Sequence, residues 1–242
     1  MSEAVGGWVA SAGAYIDFQD GGDLSRVVLL DPVMLRLCGD VTGKRVLDLG
    51  CGEGRFCRML ADRGARCAGI DVTPEMASTA RERGPGDYAL SDAARLPFQD
   101  QTFDLVVSYI TLVDIPDYRR AIAECARVLK PGGSIVAANL GFTSANALPN
   151  SGWLRDDEGR RVYFALDHYA EERAQWYEWR NIRIENYHRP LSGYMKAYLA
   201  SGLALRFFDE PVPEDSSLQA HPEFENWFRV PYFNVMRWEK AP

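Results

Sequence analysis

Three glycines at alternate positions, Gly50, Gly52 and Gly54, follow directly on an apolar run in VLDLGCGEG. A turn stripped of side chains at the mouth of a sheet lets the backbone touch a ligand, while the helix that follows presents free N–H groups. Asp71 ends the next apolar run, in AGIDVTPEM, where a carboxylate can accept both hydroxyl hydrogens of a ribose. A dinucleotide fingerprint spaces its glycines G-x-G-x-x-G. Here the register is G-x-G-x-G, with Arg55 and Phe56 next, which fits an adenosine-type ligand with no required pyrophosphate.

Such residues need strand ends to stand on. RVLDLG, RCAGID, DYALSD, FDLVVS and GSIVAAN are short β-rich apolar runs, and RFCRMLADRG, PEMASTARERG and YRRAIAECARVLKPGG between them carry helical apolar spacing. Strands alternating with helices predict a mostly parallel, doubly wound Rossmann-like α/β sheet. YFNVMRW supplies an antiparallel last strand. Thr73 with Pro74 reads as a cap and first-turn pair, and Asp117 as the cap of a helix running to about Lys130, stopped by KPGG. The chain is expected to form one domain over 1–242. It divides into an N-terminal helical lid (1–43), a cofactor-binding core (44–140), an aromatic-rich cap inserted after the fifth strand (141–187) and a C-terminal completion of the core (188–242).

A chain of 242 residues with 47% hydrophobic content buries a large core. Its net charge of -7, with Lys and Arg interspersed among acids, offers no basic stripe for a phosphate backbone, so no nucleic-acid partner is expected. The N-terminus lacks the flanks of a signal peptide and no run reaches the length of a membrane span, so a cytoplasmic protein without a membrane partner is expected. Five cysteines without a CxxC pair and three histidines predict reduced, mostly buried thiols and no metal site.

Taken together, VLDLGCGEG, GIDVTPEM, SDAARLPF, FDLVVSYITLVDIPD and RVLKPGG resemble the class I S-adenosylmethionine-dependent methyltransferases, over roughly residues 46–139. The likeness is to the small-molecule branch with a "methyltransferase type 11" domain. The resemblance implies an enzyme, a transferase with S-adenosylmethionine as cofactor and S-adenosylhomocysteine as product. It puts Asp48, Gly50, Cys51 and Gly52 at the methionine end, Asp71 on the ribose, and Val72 and Met76 on the adenine. Asp92 accepts from the adenine amino group, the Ala93 N–H donates to a ring nitrogen, and Ser108 and Tyr109 border the sulfonium. Cys51 also reads as a small core-facing side chain.

The acceptor is a small molecule, methylated at oxygen, nitrogen or carbon. His188 in NYHRPLSGYMKAYLASGLAL is a candidate general base, or else bonds backbone at a strand-to-helix corner. Tyr109 and Asp114 are further catalytic candidates, the latter alternatively a turn cap. Asn139, which with Leu140 stands where many such relatives carry His-Pro, joins Tyr163, Trp176 and Arg189 as substrate candidates. Tyr163, Phe164, Tyr169, Trp176, Tyr177, Trp179 and Tyr187 either frame a pocket or form the cap's own core. Tyr15, Phe18 and Arg26 belong to a lid that excludes water. Asn-Pro-Pro-aromatic, Pro-Cys and paired-glutamate signatures of nucleic-acid and protein-arginine methyltransferases are missing. A noncatalytic S-adenosylmethionine-binding module and, further off, an NAD-dependent oxidoreductase remain the alternatives. The protein is expected as a monomer or homodimer.

Overall fold

Strand β1 (Arg45–Leu49) buries residues on both faces because both faces are covered. Val46 packs into one core layer, Leu47 and Leu49 into the other, and all three are fully buried. The same two-residue alternation sorts the neighbouring strands: Leu105 and Val107 lie opposite Val106, and Val136 and Ala138 opposite Ile135 and Ala137. A computed structural model describes residues 6–142 and 150–242. The first five residues of the expected lid and residues 143–149 of the expected cap lie outside the described residues.

The seven-stranded sheet contains β2 (Arg66–Asp71), β3 (Asp87–Leu90), β4 (Phe103–Tyr109), β5 (Leu129–Leu140), β10 (Leu203–Asp209) and β11 (Phe233–Lys240) beside β1, in the order β3-β2-β1-β4-β5-β11-β10. β1 through β5 pair in parallel, and β11 runs antiparallel between β5 and β10. This is the expected Rossmann-like sheet with its antiparallel last strand. Helices α5 (Tyr118–Val128) and α6 (Leu191–Ala200) pack against one face, and α2 (Asp31–Cys38) and α3 (Arg55–Ala61) against the other.

Helix α5 buries Tyr118, Ala121, Ile122, Cys125 and Ala126, spaced to form one stripe. The Asp117 carboxylate accepts from the Arg120 N–H at 3.0 Å, as a cap should. The helix stops at Val128 rather than about Lys130, because Leu129 is extended and already pairs with Phe103 as the first residue of β5. Thr73 and Pro74 do begin α4 (Pro74–Arg83), but the Thr73 side chain makes no cap bond to that helix. All five cysteines are buried and unbridged.

At the N-terminus, α1 (Trp8–Asp20) is followed by a π-helical turn (Arg26–Leu30) that leads into α2. Among the described residues between β5 and α6 are two antiparallel hairpins, β6 (Gly152–Arg155) with β7 (Arg161–Ala165), and β8 (Arg173–Trp179) with β9 (Ile182–His188). Arg180 and Asn181, both at positive φ, close the second hairpin in two residues, a turn whose twist matches that of its strands. Helix α1 lies on β9, where the Ser11 hydroxyl donates to the Arg183 carbonyl and accepts from the Arg183 N–H, each at 3.0 Å. The Arg83 guanidinium grips Asp20 at 2.7 and 2.8 Å, tying the far end of α1 to α4. Two short helices, α7 (Asp215–Ala220) and α8 (Glu225–Arg229), precede β11.

Candidate active site

The glycine turn after β1 is shaped by its neighbours and by open space. Gly50, Gly52 and Gly54 all have positive φ. A Cβ on Gly50 would stand 2.2 Å from Thr111 Cγ2, and one on Gly54 would stand 2.9 Å from the Tyr88 hydroxyl. Beside Gly52 there is nothing within 4 Å, because it faces a cavity of about 640 Å³ beyond the carboxyl ends of β1, β2 and β4. That volume is ordinary for a small-ligand site. The sheet supplies the floor, while α1 and the β8–β9 hairpin supply aromatic walls from above through Trp8, Tyr15, Phe18, Tyr177 and Trp179.

Two carboxylates anchor the floor. Asp48 is 2% exposed; its Oδ2 accepts from the Cys57 thiol at 3.5 Å and its Oδ1 has no hydrogen-bond partner. Burial pushes Asp48 up to about 7. Asp71 accepts from the Gly52 N–H at 2.9 Å and the Thr73 N–H at 2.8 Å, and burial raises its pKa in spite of these bonds. A carboxylate has about four acceptor sites, so each Asp71 oxygen retains capacity toward the cavity. Asp92 accepts from the Ala94 N–H at 2.8 Å. Val72, 40% exposed at the end of β2, presents an uncovered apolar side chain to the same space.

A polar cluster closes the side next to the N-terminal segment. The Tyr109 hydroxyl donates to Asp31 Oδ1 at 2.8 Å, and Arg55 holds both oxygens of the same carboxylate. Arg26 lies over the Tyr109 ring, 5.0 Å from its centroid, donates to the Tyr15 hydroxyl at 2.7 Å and pairs with Asp23 at 3.3 Å. Burial, and then the Asp31 charge, raise the Tyr109 phenol far above its ordinary value. That phenol is a fixed donor, not a titrating base.

Opposite this cluster the chain leaves β4 through Ile110, a β-branched residue at φ 58, a rarely occupied and strained conformation that turns the backbone toward the cavity. The 3₁₀ turn Leu112–Asp114 follows. Arg189 pins this turn from behind, donating to the Leu112 carbonyl at 2.6 Å, the Ile115 carbonyl at 2.5 Å and the Pro116 carbonyl at 3.1 Å. The Asp114 carboxylate accepts from the Asn186 amide on β9 and from the Trp8 side chain on α1. Burial pushes Asp114 up to about 8, with Asp71 adding to the rise and Trp8, Arg26 and Asn186 opposing it.

Residues 47–137 match the family described as a methyltransferase domain. A malonyl-[acyl-carrier protein] O-methyltransferase from Serratia marcescens is 36% identical over 121 residues, which are 50% of this chain and 47% of that protein. A ubiquinone biosynthesis O-methyltransferase from Xanthomonas oryzae pv. oryzae is 39% identical over 124 residues, 49% of this chain and 51% of that one. The chain thus spans about half the length of the curated relatives it matches. Over nearly the whole fold it superposes on an S-adenosylmethionine dependent methyltransferase from Mesorhizobium loti, with a TM-score of 0.80 and 28% identity, covering 91% of this chain and 99% of that one. Residues 47–137 carry the methyltransferase-domain match, and the chain shares its fold with the class I S-adenosylmethionine-dependent methyltransferases. S-adenosylmethionine is its cofactor. The cavity fits that molecule: an unpartnered buried carboxylate oxygen on Asp48 matches an ammonium, and the uncovered Val72 matches a base.

Of the residues singled out for this cofactor, Asp48, Gly50, Cys51, Gly52, Asp71, Val72, Met76, Asp92, Ala93 and Tyr109 all line the methyltransferase cavity. Ser108 does not: the alternation of β4 turns it into the sheet, 1% exposed. Tyr15, Arg26 and Asp114 line the cavity as well. His188 lies off its wall, buried, with Nε2 2.9 Å from the Tyr169 carbonyl, and burial lowers its pKa. Arg189 is spent on the turn behind Asp114, and Asn139 is wholly buried in β5. Tyr163 projects to solvent from the first hairpin, and Trp176 faces away from the cavity, its ring under Arg183 at 4.0 Å. Tyr177, Trp179 and Tyr187 do line it.

Several residues of the wall, or directly behind it, escaped the sequence reading. Asp31 and Arg55 meet across 24 positions, and the available signal was an acid inside the apolar run VVLLDPVML. Asn186 and Trp8 carried no pattern of their own.

Proposed function

We propose that this chain transfers the methyl group of S-adenosylmethionine to an oxygen, nitrogen or carbon atom of a small molecule. The observation that carries this reading is one continuous cavity that joins the glycine turn and its strand-end carboxylates to an aromatic roof. Asp48 and the turn backbone at Gly50, Cys51 and Gly52 take the amino-acid end of the cofactor, and Asp71 takes the ribose. Val72 and Met76 pack on the adenine, with Asp92 and the Ala93 N–H on its edge. Tyr109, locked by Asp31, borders the reacting end. The cofactor supplies an electrophilic methyl group. The protein aligns the acceptor with it and keeps water out, which is the main requirement of an in-line displacement at carbon.

The relative named for ubiquinone biosynthesis supports a small acceptor. Residues 1–43 serve as a lid with Tyr15 and Arg26 at its inner side, 44–140 as the cofactor-binding core, 141–187 as the cap and 188–242 as the completion of the core. His188 is a strut at the β9–α6 corner, and Arg189 orders the turn of Asp114. Among the described residues no helix is long and apolar enough to cross a membrane. We assign the protein to the cytoplasm, as a monomer or homodimer acting on no nucleic acid.

Titration calorimetry with S-adenosylhomocysteine, with NADH as control, tests this reading. Binding of S-adenosylhomocysteine alone is expected, and Asp71→Ala should weaken it by about 1.5–3 kcal/mol through lost charge-assisted bonds. Binding of NADH, or of neither compound, overturns it. Binding without methyl transfer to any acceptor would leave the noncatalytic module.

A further inference from the structure

We propose that the methyl acceptor is a flat, neutral ring bearing a hydroxyl group, and that Asp114 takes the hydroxyl proton as the oxygen is methylated. The proposal rests on the methyltransferase reading above and names the acceptor class for the same cavity.

The argument starts from how Asp114 is held. Two segments far from it in the chain converge on it: α1, from which Trp8 donates to the carboxylate, and residues 186–189, where Asn186 donates to the carboxylate and Arg189 fixes the carbonyls of the turn that carries it. Both direct donors are uncharged. Arg26, the guanidinium near enough to influence Asp114, is already engaged by Tyr15 and Asp23. An asparagine oxygen at position 114 would satisfy the Asn186 and Trp8 donors equally well, so the architecture does not require the negative charge. A carboxylate set in an aromatic wall without a bonded cation is costly, and its use lies in what enters the cavity.

The walls around it select the shape and charge of that visitor. Trp8, Tyr177, Trp179, Tyr187 and Tyr232 offer ring faces and edges, suited to a planar apolar body. An anionic acceptor would meet Asp114 and Asp71 with like charge. An amine would be held by Asp114 as its ammonium, with the nucleophilic lone pair occupied by a proton. A hydroxyl gains in both respects, since it enters neutral and becomes a better nucleophile as its proton leaves. The acceptor O–H bond breaks and its proton passes to an Asp114 oxygen, while the acceptor oxygen's electron pair forms the new bond to carbon. The carbon–sulfur bond of the donor breaks with its pair left on sulfur, and Asp114 later returns the proton to solvent. Burial lifts Asp114 to about 8, a proton affinity that suits it to accept from a phenol. The titratable and charged groups that act on it, or that it acts on, are Asp71, Arg26, Tyr15, Tyr187 and Tyr194. Among these, Asp71 raises and Arg26 lowers its pKa, and the tyrosines stay neutral over the working range.

The test uses the full chain saturated with S-adenosylhomocysteine, titrated with 2-naphthol and 2-naphthoate at about pH 8.5, where Asp114 is mostly ionised and 2-naphthol still mostly neutral, and then turnover of 2-naphthol with S-adenosylmethionine. We expect 2-naphthol to bind at least about tenfold tighter than 2-naphthoate, and Asp114→Asn to erase most of that preference by removing the like charge. In turnover Asp114→Asn should lower kcat by about a hundredfold or more, with KM nearly unchanged. It should also remove a rise in rate whose midpoint in the unaltered protein lies at or below about pH 8, since a cationic donor nearby favours the carboxylate. Asn186→Ala, which leaves the carboxylate but frees its aim, should give a smaller kcat loss and retain the pH limb, and it decides the matter if Asp114→Asn fails to fold. Equal or tighter binding of 2-naphthoate, no binding of either probe, or an unchanged kcat and pH profile in Asp114→Asn overturns the proposal. Failure of the unaltered protein to bind S-adenosylhomocysteine overturns the methyltransferase reading instead.

Discussion

The two hairpins between β5 and α6 are both rich in aromatic and arginine residues, yet they stand in opposite relations to the rest of the molecule. The β8–β9 hairpin is held on three sides: by Ser11 of α1 at Arg183, by Glu172, which accepts from the Tyr118 hydroxyl at 2.9 Å and pairs with Arg119, and by Asn186 at Asp114. Its inward residues become cavity wall. The β6–β7 hairpin is met mainly by Arg229, which donates to the Arg161 and Val162 carbonyls and lies over Trp153. Leu154, Val162 and Tyr163 stay exposed. An isolated hairpin has little stability of its own. What makes one of them part of the site is the helix laid across it, not its aromatic content.

The sharpest way to break this contrast is Gly7→Val. Gly7 sits at φ 83, and a Cβ there would stand 2.3 Å from the Arg183 carbonyl. Prising α1 off β9 should cost about 3 kcal/mol or more and weaken S-adenosylhomocysteine binding strongly; thermal unfolding and calorimetry read both. Ser11→Ala removes the two bonds to the Arg183 backbone while keeping the helix, and should cost about 1–3 kcal/mol in chemical denaturation. A loss near zero would mean that α1 rests on β9 by packing alone.

The pH dependence of stability sharpens the same point. Asp48 and Asp114 have folded pKa values of about 7 and about 8, raised from 3.8. The folded protein therefore binds more protons than the unfolded one between those values. Their contribution is whole below about pH 4 and is lost as pH rises through the folded values. Between about pH 6.5 and 8, above the ordinary range of histidine, the melting temperature of the protein without cofactor should fall. Asp114→Asn should flatten the upper part of that fall, and a slope that Asp114→Asn leaves untouched would count against the burial of its charge. The smallest effect is expected from replacing residues 152–166 with two glycines. The flanking Asn150 amide and Asp167 carboxylate already lie 3.3 Å apart, so stability should change by no more than about 1 kcal/mol and cofactor affinity should stay the same.

The parts of the fold and site that could be read from the sequence are those set by local pattern. Strand ends carry Asp48, Asp71 and Asp92, the glycine spacing marks the turn, and a period of 3.6 marks α5; each lies within one stretch of chain. The parts that could not be read depend on encounters between distant segments. Nothing in the neighbourhood of Asp31 announces Arg55 and Tyr109, and a β-branched Ile110 is the last residue one would assign to a left-handed bend. Trp176 and Tyr177 look equivalent as letters. They are parted by strand alternation, whose phase is set at the turn of Arg180 and Asn181, where Trp179 pairs with Ile182. His188 and Arg189 drew attention as a polar pair before a helix, but both bond backbone, which a sequence cannot distinguish from contact with a ligand.

The five buried thiols turn the protein into its own stopwatch. Burial pushes Cys38 and Cys125 up to about 12, so neither reacts with an alkylating reagent while the sheet is shut. Cys125 lies on the buried face of α5, whereas Cys51 belongs to the glycine turn at the cavity edge. The labelling rate of Cys125 will clock the parting of the whole fold, and that of Cys51 the loosening of the turn alone. The ratio of the two rates, measured with and without ligand, separates a molecule that grips its cofactor from one that has merely become harder to unfold.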